Sequence, residues 1–147
     1  MKYYLASRYG RRLEMCAYRA QLRANGHEVT RRWLNGDHQI ADVVPSEADK
    51  EREANRFASE DMQDVARADC VISFTEPPRS PHSRGCRHVE FGIALALDKS
   101  CVVIGPKENV FHHLYHVACF RTWVEFAGYH KMKAFTPVVT NAEESGL

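Results

Sequence analysis

Chemistry-bearing residue types gather in one stretch of this chain, Ser83-Arg84-Gly85-Cys86-Arg87-His88-Val89-Glu90-Phe91-Gly92. The hydroxyl, guanidinium and glycine stand at the predicted start of a helix. There, backbone N–H groups without intrahelical partners and the helix dipole favour an anion such as phosphate. A simple helix cap by Ser83 is the alternative reading. Glu90 follows in the first turns, between Val89, Phe91 and Ile93, where a carboxylate kept only for solubility is less expected. His88 stands two residues before it, a candidate ligand contact. Further along, His112 and His116 share a helical face with Glu108, and His113 lies between them. One i,i+4 pair with no HExxH pattern and no cysteine partner is weak spacing for a metal, so polar or interfacial histidines are the better reading.

The surrounding periodicities define what must position these groups. Residues 3–7 (Tyr-Tyr-Leu-Ala-Ser) form a short apolar strand that breaks at Arg8-Tyr9-Gly10. Leu13, Cys16, Ala17, Ala20 and Ala24 recur at helical spacing, and Asn25-Gly26 supplies a left-handed stop. Residues 27–34 read as a second strand, 35–50 as an exposed loop, and 51–68 as a helix with Ala54, Phe57, Ala58, Met62 and Val65 on one face. The run at Cys70-Val-Ile-Ser-Phe-Thr is the nearly continuous apolar strand expected when helices cover both faces of a parallel sheet. A proline-rich loop over 76–85 leads to a helix over 86–98, a strand over 100–105, a helix over 109–119 and a fifth strand over 122–126. Alternating strands and helices imply right-handed crossovers and an α/β, flavodoxin/Rossmann-like three-layer sandwich with a five-stranded, mainly parallel sheet. Ligands of such sheets bind beyond the carboxyl ends of the strands, which singles out the loops 7–12, 33–37 and 76–85.

Composition bounds the function. With 147 residues, 44% hydrophobic and 27% charged, the chain reads as one domain over 1–140 and a polar tail over 141–147. No run approaches the ~20 apolar residues of a membrane span, and the N-terminal apolar run is too short for a signal peptide, so a cytoplasmic protein is expected. A formal charge of +1 disfavours polymeric nucleic acid or a membrane surface as partner. Local arginine clusters (Arg8, Arg11 and Arg12; Arg31 and Arg32; Arg79, Arg84 and Arg87) still suit small anions. The five cysteines lack CxxC spacing and predict no disulfide framework.

The run Gly85-Cys-Arg-His-Val-Glu-Phe-Gly-Ile-Ala-Leu-Ala-Leu97, following Asp69-Cys-Val-Ile-Ser-Phe-Thr-Glu76, resembles the nucleoside 2-deoxyribosyltransferase superfamily, which includes the nucleoside 5′-monophosphate N-glycosidases. The resemblance covers residues 3–126, with weaker pieces at Tyr-Leu-Ala-Ser-Arg and Ser59-Glu-Asp-Met62. It implies that Glu90 is the catalytic glutamate, attacking or electrostatically supporting the anomeric carbon as the base leaves through an oxocarbenium-like state. It also implies that Asp61 contacts base or sugar and helps protonate the leaving group, with Glu60 and Asp64 as nearby competitors. Ser7, Arg8, Tyr9 and Gly10 fall where the family places phosphate and sugar contacts, and Tyr9 is the candidate to orient the nucleophile. Trp33 either stacks on the base or belongs to the core.

Transferases of this family usually carry an aspartate six residues before the glutamate. Here that position is Arg84, beside Ser83, a pair better matched to a phosphate than to a neutral hydroxyl. Ser80 and Ser83 are alternative phosphate contacts, and Gly85 is a further candidate substrate contact. The resemblance thus implies a nucleotide hydrolase needing neither metal nor organic cofactor, acting on a small-molecule nucleotide or nucleoside as a homodimer or higher homo-oligomer. Base exchange and non-catalytic nucleotide sensing are the alternatives.

Overall fold

A computed structural model describes residues 1–30, 32–36, 46–78 and 85–134. In chain order its elements are β1 (Lys2–Ala6), α1 (Arg12–Ala24), β2 (Glu28–Thr30), α2 (Glu47–Arg67), β3 (Cys70–Phe74), α3 (Cys86–Ala96), β4 (Ser100–Ile104), β5 (Ala118–Phe120) and α4 (Trp123–Tyr129). The strands form one sheet in the order β2-β1-β3-β4-β5, and every pairing is parallel. This is the flavodoxin-like order, whose switch point lies between β1 and β3.

Helices cover both faces. On one, Tyr18 of α1 stacks on Trp123 of α4 at 4.3 Å and on Phe74 of β3 at 5.3 Å, while Trp123 Nε1 donates to Gln21 Oε1 at 2.7 Å. On the other, α2 packs against α3. Strand alternation sorts the side chains between these layers. Tyr3 lies edge-on to Phe126 of α4, so Tyr4 projects to the opposite face, toward α2 and α3. Its register neighbour there is Val71, and that of Ala6 is Ser73.

Three regions differ from the sequence-based expectation. The strand expected over 27–34 stops at Thr30, and Trp33 and Leu34 bury instead from a 3-10 turn at Arg32–Asn35. The turn is anchored by Trp33 Nε1 donating to the Leu5 carbonyl at 3.0 Å, a tertiary bond that a strand pattern cannot anticipate. At the other end, the helix expected over 109–119 is only a 3-10 turn at Val110–His113, the fifth strand is Ala118–Phe120, and the segment expected as a strand forms α4. A helix cap overrides β propensity here: Thr122 Oγ1 accepts from the Glu125 N–H at 3.1 Å, and Glu125 accepts from the Arg121 N–H at 2.7 Å. Helix α2 begins at Glu47, four residues before the expected start, because Ser46 caps it by accepting from the Asp49 N–H.

Where β4 ends beside β3, Gly105 has φ +114° and donates to the Phe120 carbonyl at 2.9 Å; a Cβ there would lie 2.5 Å from Thr75 Oγ1. Gly105→Ala should therefore destabilise the fold by roughly 1–3 kcal/mol. The expected readout is a lower urea midpoint with an unchanged slope.

Candidate active site

Helix α3 enters from Gly85 at φ +81°, a left-handed conformation that glycine adopts without Cβ strain. Arg87, in its first turn, is 3% exposed and pairs with Glu108 at 2.5 Å, which fixes the rotation of the helix. His88 reaches the same side of the fold, with Nε2 3.7 Å from Glu108 and Nδ1 3.4 Å from Asn109 Nδ2. Two residues advance a helix by about 200°, so Glu90 points the opposite way. Its carboxyl group meets Asp61 of α2 and Tyr4 of β1.

This is an acid cluster set in the layer between sheet and helices, with Glu90 and Asp61 half-buried residues whose carboxyl groups turn inward. Burial and, secondarily, the Asp61 charge push the Glu90 carboxyl well above the usual carboxylate range, against the opposing influence of the Tyr4 hydroxyl. Tyr4 is itself held well above an ordinary phenol, first by burial and then by the neighbouring Glu90 and Asp61 charges. Its hydroxyl has no fully formed hydrogen bond among the described residues, yet lies close enough to Glu90 to favour the carboxylate. One turn beyond Asp61, Asp64 is fully buried. It accepts from the Arg32 N–H at 3.0 Å, from Arg32 Nη2 at 3.0 Å and from Arg67. Burial opposes ionisation of Asp64, but these bonds outweigh it and hold its pKa below the usual value.

The first strand-to-helix loop lies at the carboxyl ends of β1 and β3. Arg8 Nε donates to Glu76 at 2.9 Å, and Arg11 donates to the Thr75 carbonyl at 3.2 Å and pairs with Glu14 at 2.6 Å. Ser7 Oγ donates to the Arg8 carbonyl at 3.0 Å. A Cβ on Gly10 would come 2.4 Å from Arg8 Nη1, so glycine makes room for that guanidinium. The Tyr9 hydroxyl donates to the Gly36 carbonyl at 2.7 Å, bridging this loop to the next, and its ring is 6.3 Å from Trp33. Trp33 packs in the core.

Of the residues expected at the site, Glu90 and Asp61 are brought together, with Asp64 one turn away. Tyr9 is held toward Gly36 and His88 toward Glu108. Ser80, Ser83 and Arg84 lie outside the described residues. Tyr4 and Glu76 were not anticipated: Tyr4 carries the signal of period-two alternation beside a core-facing Tyr3, and Glu76 is the residue after next beyond β3. Arg32 was noted only in an arginine cluster suited to small anions; its partner is instead Asp64, thirty-two residues away. The histidines assemble no ligand set: His112 is buried with Nδ1 accepting from the Glu108 N–H at 3.0 Å. No group of three or more His, Cys, Asp or Glu among the described residues is arranged to hold a metal ion. No helix among them is long and apolar enough to cross a membrane.

No family model matches the chain, and no curated protein matches it in sequence. Among solved structures it is similar to the CMP N-glycosidase BcmB of Clostridium botulinum, with a TM-score of 0.55 and 17% identity over 89% of this chain and 98% of that one. At that identity the likeness is one of fold.

The raised Glu90 pKa has a consequence for stability. A carboxyl that binds its proton more tightly when folded contributes stability that is complete below its unfolded pKa and is lost as pH rises through the folded value. Glu90→Gln removes that loss. Its melting temperature should therefore exceed that of the wild type increasingly from pH 5 to pH 8, by about 2–4 °C for each kcal/mol relieved. A constant difference across that range would contradict burial of an ionisable Glu90.

Proposed function

We propose that the protein hydrolyses the N-glycosidic bond of a ribo- or deoxyribonucleoside 5′-monophosphate, releasing free base and sugar phosphate. The observation that carries this reading is the Asp61–Glu90 carboxyl pair over Tyr4, in a fold shared with a CMP N-glycosidase. Cleavage of a glycosidic bond needs a proton for the departing base and a negative charge beneath the anomeric carbon. Two coupled carboxyl groups holding one proton between them supply both.

Burial and the Asp61 charge favour the protonated form of Glu90, so Glu90 is assigned the proton of the pair. Positive charge developing on the sugar stabilises the Glu90 carboxylate, so the proton passes to Asp61 and from there to the leaving base nitrogen. Glu90 then bonds to the anomeric carbon as the carbon–nitrogen bond breaks. Water, losing a proton to the Asp61 carboxylate, displaces Glu90 and completes hydrolysis. Tyr4, rather than Tyr9, is the group placed to orient Glu90 and favour its charged form.

The 5′-phosphate is assigned to Ser7, Arg8, Gly10 and Gly85, at the switch point and the start of α3, with Ser83 and Arg84, outside the described residues, as the further contacts that the sequence resemblance implies. Arg8 and Arg11 are already partnered by Glu76, so a phosphate dianion competes with one carboxylate for two guanidiniums. Tyr9, partly exposed above the buried Trp33, is the aromatic surface offered to the base. Exposed Val110, Phe111 and Tyr115 fit the proposed homo-oligomeric state, in which such apolar groups are covered.

Chromatography of a panel of ribo- and deoxyribonucleoside 5′-monophosphates, with and without acceptor bases, tests this function. Wild-type protein should release free base, and Glu90→Ala should reduce the rate by at least about 100-fold with nucleotide binding retained. Formation of a new nucleotide with an added base would make the protein a transferase, and binding without release would overturn the enzymatic reading.

A further inference from the structure

Arg32 stands outside the substrate contacts assigned above, yet its side chain is heavily engaged beside the acid cluster. Its Nε and Nη2 both bond Asp64, at 3.1 and 3.0 Å, and its own N–H bonds the same carboxylate at 3.0 Å. Nη2 also donates to the Glu60 carbonyl at 3.1 Å and to Gln63 Oε1 at 3.0 Å. One guanidinium from the turn after β2 thus grips the backbone and side chains of α2 on both sides of Asp61. A planar five-donor fork can do this, and an ammonium cannot.

We propose that Arg32 is the positioning residue of the carboxyl pair: its clasp on Asp64 fixes the Asp61-bearing turn of α2 against Glu90, and its charge allows three acids to share one layer. The groups facing that layer are Tyr4 from β1, Glu60, Asp61, Asp64 and Arg67 from α2, Glu90 from α3, and Arg32 itself. Arg67 also pairs with Asp64, but its side chain is 61% exposed and comes from the same helix, so it cannot lock α2 to another element. Arg32 is the cation of this group that joins α2 to a separate segment. Removing it leaves Asp64 buried with a weakened set of donors, frees the helix turn, and takes away the positive charge that offsets Asp64, Glu60 and Asp61, so that Asp61 presses more strongly on Glu90.

This inference rests on the glycosidase reading for its catalytic part, and a stability measurement tests it separately. In a double-mutant cycle, the Glu90→Gln gain in melting temperature at pH 8 should be larger in an Arg32→Gln background than in the wild type. Arg32→Lys should restore the charge part of that coupling but not the rate. For turnover, Arg32→Gln should lower kcat by about 10-fold to 100-fold with KM changed less than about twofold, and move the pH–rate profile. Asp64→Asn provides a second variant if Arg32→Gln does not fold, with the same expected change in profile. An identical Glu90→Gln gain in both backgrounds, or full rate recovery in Arg32→Lys, overturns the proposal. Coupling found in a protein that cleaves no nucleotide would sink the glycosidase and leave Arg32 as the organiser of the acids.

Discussion

Placing one carboxyl group against another inside a protein is the constraint around which this structure is arranged. Ionised acids lose hydration on burial and repel each other, so they persist only where neighbours supply donors or where one keeps its proton. Glu90 and Asp61 come from α3 and α2, and Tyr4 rises between them from β1. None of the three is near another in sequence. Their meeting requires the parallel sheet, both helices on the same face, and strand alternation that turns Tyr4 away from the layer containing Tyr3.

That dependence explains how much could be read from the residues alone. Continuous apolar strands alternating with helical periodicity led to the right class and sheet, because burial on both faces writes itself directly into local composition. Glu90 was legible as an acid among Val89, Phe91 and Ile93 at the head of a helix. Tyr4 was half legible: alternation assigns it a face, but only the fold says what occupies that face. Arg32 was legible as one of a cationic pair but its partner was not, since a clasp across thirty-two residues leaves no periodic trace. The error near the C-terminus has a different origin. Thr-Trp-Val-Glu-Phe has the composition of a strand, and one side-chain bond from Thr122 to the Glu125 N–H decides for a helix.

The two faces of the sheet divide the work unequally. Tyr3, Tyr18, Phe74, Trp123 and Phe126 interlock on the α1–α4 side, with ring centroids between 4.3 and 6.3 Å. Aromatic packing of this kind adds dispersion and area burial without any titratable group that destabilises at neutral pH. The α2–α3 side holds the acids, the buried Tyr4 and Ser73 hydroxyls, and the Asp64 clasp. A layer that keeps polar groups under-partnered is a poor source of stability, and the opposite layer compensates for it.

The same division bears on how the site can respond to a ligand. At the crevice rim Arg8 and Arg11 are held in ion pairs by Glu76 and Glu14. Deeper in, Arg32 holds Asp64 and the Tyr4 hydroxyl faces Glu90. In the proposed reaction, an anion entering at the rim would release Glu76 from its arginines, and positive charge forming on the sugar would stabilise Glu90 as it gives up its proton. Each exchange replaces a partner already present, so neither requires the sheet or its helices to move. A rigid parallel scaffold is then compatible with chemistry that changes the charge of its buried groups, because the compensation occurs between neighbouring side chains.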